Sequence, residues 1–256
     1  MLWQIIKQSL SSLGSSNKSA NLNISNQLIQ DAIEQHQAGH LQEAEAIYQS
    51  ILKEQPDNPD ALHLLGLIAH QVGNNDIAVD LIEKAININP NIPDFHNNCG
   101  EAYRMLQQYD LAITRYNQAL AMKPDYAEAH NNLGNALNEL GRHEEAIEYF
   151  EQALAIKPDL VEAHNNLGNA FNELDQKEKA IAHYEQALVI KPDYAEVHNN
   201  LGVILQDLGQ IENVITHFEQ ALAIKPDYAP AHNNMGNVLK ESGLYKEAIA
   251  CYEQAL

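Results

Sequence analysis

The stretch His130-Asn131-Asn132-Leu133-Gly134-Asn135, HNNLGN, returns almost unchanged along the chain: HNNCGE at 96–101, HNNLGN at 164–169, HNNLGV at 198–203 and HNNMGN at 232–237. Each copy begins 34 residues after the one before it. Pro56, Pro90, Pro124, Pro158, Pro192 and Pro226 keep the same spacing and carry the register two units upstream of the first copy. A fixed period of this length means one supersecondary unit stacked along a line, each unit burying its apolar face on its neighbours, in place of a single globular core.

The unit 127–160, AEAHNNLGNALNELGRHEEAIEYFEQALAIKPDL, shows what is being repeated. Ala129, Leu133, Ala136, Leu137 and Leu140 have the spacing of one helical face, and Gly141 stops that helix. Ala146, Ile147, Phe150, Ala153 and Leu154 form a second such face, ending before Pro158. The start of each first helix is marked as well. Asp125 with Glu128, Asp159 with Glu162 and Asp193 with Glu196 have the spacing of a capping box. Pro59, Pro93 and Pro230 fall in first turns, where a missing N–H does no harm. Helices of about 12 to 14 residues are marginal alone in water, so neighbouring units must supply the stability.

Small residues recur where two helices must approach: Gly66, Gly100, Gly134, Gly168, Gly202 and Gly236 in the first helix, Ala78, Ala112, Ala146, Ala180 and Ala248 in the second. Tyr48, Tyr116, Phe150, Tyr184, Phe218 and Tyr252 form a bulky column beside them, interrupted by Ile82. From about Ser25 to Leu256 this constellation resembles the tetratricopeptide repeat. The resemblance implies an all-α fold, a right-handed α-solenoid of about seven helix-turn-helix units at 25–58, 59–92, 93–126, 127–160, 161–194, 195–228 and 229–256. The last unit is cut short before its Lys-Pro-Asp turn and lacks a polar cap, which predicts self-association through residues 229–256 and a chain that continues beyond Leu256. Residues 1–24 form an extension. Ser11 to Asn26 reads as a flexible linker, and residues 1–10 place Trp3, Ile6 and Leu10 on one face of a short helix that either stays flexible or docks on the first unit.

On a helical wheel the core stripe of 127–140 lies almost opposite Asn135, with Asn131 and Asn138 flanking Asn135, Asn132 at the edge of the stripe and His130 turned towards the core. Stacking makes two columns: Asn97, Asn131, Asn165, Asn199 and Asn233 outward, and Asn98, Asn132, Asn166, Asn200 and Asn234 at the edge. In the tetratricopeptide family the first helices line the concave surface, so the resemblance implies an Asn-lined groove. With Asn135 and Asn169 added, these twelve residues are the candidate peptide-binding set, because an Asn amide both donates and accepts and so suits the backbone of an extended peptide. The competing reading is that the Asn side chains bond to neighbouring helices. The edge column also resembles the ladder in the repeat region of the O-linked N-acetylglucosamine transferases, with Leu64 departing from it.

Charge and chemistry narrow the function classes. Fifteen Lys plus Arg stand against 35 Asp plus Glu, a net charge near −20, which repels nucleic acid and anionic lipid. A protein or peptide partner of basic character fits better, facing Glu128, Glu162 and Glu196 on one rim and Glu139, Glu173, Asp207 and Glu241 on the other. No signal peptide or membrane-spanning run is legible, and two lone cysteines, Cys99 and Cys251, fit a cytoplasmic protein. The column His96, His130, His164, His198 and His232 is spaced too widely for its members to share a metal ion. No residue stands out as a unique acid, base or nucleophile, so neither catalysis nor a cofactor is expected. Two functions follow: a non-catalytic interaction scaffold, or the substrate-selecting arm of a glycosyltransferase or other enzyme whose catalytic domain lies beyond residue 256.

Overall fold

The structure, a computed structural model, describes residues 18–256, with side chains from Gln27 onward apart from Ile211 and Glu212. The expectations for residues 1–17, including the face carrying Trp3, Ile6 and Leu10, lie outside the described residues. Among the described residues the chain is all helix and turn, with no strand. The helices are α1 (Lys18–Gln37), α2 (Leu41–Glu54), α3 (Pro59–Gln71), α4 (Asn75–Ile88), α5 (Pro93–Met105), α6 (Tyr109–Met122) and α7 (Ala127–Glu139). They continue as α8 (His143–Ile156), α9 (Val161–Glu173), α10 (Lys177–Ile190), α11 (Ala195–Asp207), α12 (Ile211–Ile224), α13 (Ala229–Glu241) and α14 (Tyr245–Gln254). Odd-numbered helices are the first helices of the repeats and even-numbered ones the second. The opening helix corrects one expectation: α1 begins at Lys18, inside the stretch read as flexible linker.

The chain divides into two compact units, Met1–Arg115 and Tyr116–Leu256, with the boundary inside α6. In the first, α1 packs on α2, α2 on α3, α3 on α4 and α4 on α5. In the second the same succession runs from α7 to α14, and α7, α9, α11 and α13 also touch in turn. Each contact is therefore made to the next helix or the next but one, as expected of a repeat array.

Two turns make the hairpins. After a first helix the chain closes as it does past Glu139: Gly141 N–H donates to Asn138 O at 2.9 Å and Arg142 N–H to Leu137 O at 2.9 Å. That pair of bonds needs a left-handed residue between them, and Gly141 has φ of 74°. Gln107 and Asp175 occupy the same place in their repeats with φ of 58° and 55°, a strained choice for residues with a Cβ. Before the next first helix the Lys-Pro-Asp-Tyr segment folds as a β-turn, Tyr126 N–H donating to Lys123 O at 3.2 Å. Lys123, Lys191 and Lys225 then lie over Tyr126, Tyr194 and Tyr228.

This turn overturns the capping-box expectation. Asp125 sits inside it, so the helix cap falls one residue later on Tyr126, and no side chain caps the helix. Leu160 and Tyr194 replace Asp159 and Asp193 in the same way. Asn58 does cap its helix, accepting from Ala61 N–H at 3.0 Å.

In four of the hairpins a glycine faces a ring at the core. A Cβ on Gly134 would lie 2.6 Å from the Phe150 ring, one on Gly202 2.6 Å from Phe218 and one on Gly236 2.5 Å from Tyr252; one on Gly168 would meet Tyr184 more closely still. Gly66 meets Ile82 likewise, at 2.7 Å. In the first repeat Ala32 takes the glycine's place beside the fully buried Tyr48.

Candidate functional site: the asparagine face of the first helices

The structure exchanges the two Asn columns. Asn97, Asn131, Asn165 and Asn199, expected on the open face, are buried, at 6, 7, 3 and 6% exposure, while Asn233 is exposed. Asn98, Asn132, Asn166, Asn200 and Asn234 are half-buried, as are Asn135 and Asn169. A wheel drawn for one helix places residues against that helix's own hairpin partner. Here the following first helix also packs on it, as α9 does on α7, and it closes over the outward column of the second unit.

Across that contact the amides join. Asn166 Nδ2–H donates to Asn131 Oδ1 at 3.0 Å and Asn234 Nδ2–H to Asn199 Oδ1 at 2.9 Å. Asn200 donates to Asn169 Oδ1 at 3.1 Å and, with a long 3.5 Å contact, to Asn165 Oδ1. In the first unit Asn98 makes the same step to His63 Nε2 at 2.9 Å. His63 thus stands in the buried column one repeat before Asn97, and its ring tilts against Phe95 with centroids 4.4 Å apart. Because Nε2 accepts, the ring is the neutral tautomer with its proton on Nδ1. Burial pushes its pKa down to about 4, against a smaller opposing pull from Asp94.

The column of five His residues holds turns together. His96, His130, His164, His198 and His232 each donate Nε2–H to the carbonyl of the proline six residues earlier, at 2.8 to 3.2 Å. They are packing residues in the sense expected from the wheel, with a definite partner that sequence did not disclose. Among the described residues no three His, Cys, Asp or Glu side chains are grouped to hold a metal ion. The rims carry fewer open charges than the sequence suggests: Lys157 pairs with Glu128 at 3.2 Å and Lys177 with Asp207 at 2.9 Å.

Several contacts escaped the sequence reading. Asn169 accepts from Tyr184 Oη–H at 2.6 Å, and Asn237 from Tyr252 Oη–H at 2.8 Å. Ile33 holds the corresponding position opposite Tyr48, whose buried hydroxyl has no partner among the described residues. Glu83 receives Arg115 on both oxygens and the Tyr103 hydroxyl at 3.0 Å, with the Cys99 thiol 3.5 Å away. Burial, then the Glu83 charge, pushes the Cys99 thiol far above its ordinary range.

Family models described as tetratricopeptide or TPR repeats match residues 35–99, 99–161, 168–209, 204–243 and 231–256. The chain belongs to the tetratricopeptide repeat proteins. No curated protein matches it. Among solved structures, this tetratricopeptide chain is similar to PilW, described as a widely conserved type IV pilus biogenesis factor: 22% identity, TM-score 0.75, covering 88% of this chain and 100% of that one. A tetratricopeptide protein from Parabacteroides merdae is 17% identical with TM-score 0.73, over 90% of this chain and 91% of that one. YrrB, described as a TPR protein with an unusual peptide-binding site, is 21% identical with TM-score 0.53, over 68% and 90%. At these identities the likeness shows the fold alone.

Proposed function

We propose that the chain is a non-catalytic scaffold whose first helices bind an extended segment of a partner protein. The observation that carries this reading is the state of the half-buried Asn column. Asn166 and Asn234 are each anchored by one bond to the preceding repeat, yet each retains a second N–H and its carbonyl oxygen for a ligand. Anchored amides lose less rotamer entropy on binding than loose ones, and a peptide backbone needs both a donor and an acceptor. The buried column plays no direct part; it positions the other.

A segment of basic character suits the net charge and the rims, and a net hydrogen bond of about 0.5 to 1.5 kcal/mol per Asn limits the Asn contribution to weak binding. YrrB's peptide-binding site lends the class of function, not the residues. A reducing compartment, and so the cytoplasm, suits the two free thiols. The Asn column equally suits the substrate-selecting arm of an enzyme.

The test is selection of extended peptides on the full chain, followed by titration of the best binder while observing the Asn side-chain amide resonances. Shifts concentrated at Asn132, Asn166, Asn200 and Asn234 are expected. Binding that leaves those resonances unmoved refutes the proposal.

A further inference from the structure

His164 on α9 and His183 on α10 meet Nδ1 to Nδ1 at 3.2 Å, and His198 on α11 and His217 on α12 repeat the contact at 3.1 Å. The ring centroids are 5.5 and 5.4 Å apart. That separation is the nitrogen gap plus one ring radius at each end, so the nitrogens point at one another head-on. His164 and His198 give their Nε2–H to the carbonyls of Pro158 and Pro192. In the neutral ring their Nδ1 is therefore bare, and it must accept the Nδ1–H of the facing histidine. One proton joins each pair.

Protonation proceeds in two steps that belong to the pair. The first added proton can go to Nε2 of His183 or His217, leaving the N–H···N link in place and charge-assisted. A second puts N–H against N–H and cation against cation. The surroundings offer no relief: among the described residues no carboxylate bonds to any of the four rings. Phe171 stacks on His183 at 5.5 Å, and behind that ring stands another cation, Lys179. Burial and then the facing histidine hold His183 and His217 below the ordinary imidazole range. We propose that the two His pairs form an acid-opened clasp, which keeps the α9–α10 and α11–α12 hairpins closed through mild acid and releases them when each pair takes its second proton.

The chain supplies its own control. In the repeat before these, Tyr149 stands where His183 and His217 do; it stacks on His130, 6.1 Å between centroids, and His130 Nδ1 stays buried and unpartnered. His183→Tyr and His217→Tyr therefore copy an arrangement that the fold already contains. Amide hydrogen exchange, corrected for intrinsic rate, should change little in α9 to α12 between pH 7.5 and pH 6, then accelerate about tenfold or more by about pH 4.5, the scale of one lost bond per pair. The double Tyr variant should lose this step in α9 to α12. Imidazole nitrogen resonances of the unmodified chain should show paired, two-step titration. Independent titration of the four rings, or an acid step that survives in the double variant, overturns the clasp. Should the double variant not fold, the single variants and the nitrogen titration decide alone.

Discussion

At single residues the repeat can be checked against itself, since each position has several versions in one chain. Tyr48 keeps a buried hydroxyl opposite Ile33, whereas Tyr184 and Tyr252 find Asn169 and Asn237. Tyr48→Phe should raise the first unit's stability or leave it unchanged, by at most about 1 to 3 kcal/mol, because the desolvation cost of the unsatisfied group disappears. Thermal or urea unfolding monitored in that unit provides the measurement, and a clear loss would mean that the hydroxyl has a partner after all. Gly168 tolerates no side chain, since a Cβ there meets the Tyr184 ring. Gly168→Ala should cost about 1 to 3 kcal/mol by overpacking, read from the denaturant midpoint. At the helix ends the sign reverses: Gln107→Gly should stabilise by up to about 1 kcal/mol, relieving a Cβ held at positive φ.

For whole helices, the pattern of apolar, Gly and Pro residues carried most of what mattered. Pairing of first and second helices, the turn at Gly141 and the Gly–ring contacts were all legible from one repeat, because they depend on contacts within a hairpin. In the second unit the Asn columns were misassigned because their burial depends on the following repeat, a neighbour that a single-helix wheel omits. Capping failed for a local reason: the proline fixes a β-turn that absorbs the Asp. The exchanged columns alter what substitution should do. Asn131→Ala removes the acceptor of Asn166 and should lower stability by about 1 kcal/mol, while Asn135→Ala, with no side-chain bond to lose among the described residues, should leave stability within about half a kcal/mol and weaken only ligand binding. Calorimetric melting of both variants separates the two roles. In the first unit the buried column holds His63, with a folded pKa of about 4 against an ordinary 6.5. Its contribution is fully present above about pH 6.5 and is lost as pH falls towards 4, because the unfolded chain then binds the extra proton first; on the order of 3 kcal/mol is at stake. His63→Asn should keep the link from Asn98 and flatten that loss, which melting of the first unit from pH 7 to pH 4 would show.

Over the whole molecule, sequence revealed the fold class and the period, but not the division into two compact units at Arg115 and Tyr116. In the last repeat Ile249 and Leu256 lie open at 57 and 108% exposure, while Met235 is buried at 7%. Sedimentation over a range of concentrations should reveal association that Ile249→Lys abolishes; a monomer at every concentration would show that this face is inert. A different consequence follows from the sense of the Asn links. From Asn234 to Asn199, from Asn200 to Asn169 and from Asn166 to Asn131, each link between repeats runs from a later donor to an earlier acceptor. The row is thus vectorial, like arrows laid head to tail, and a peptide chain is vectorial too. A bound segment should lie in one direction only, so a synthetic ligand with the same residues in reverse order should read as a stranger to this surface.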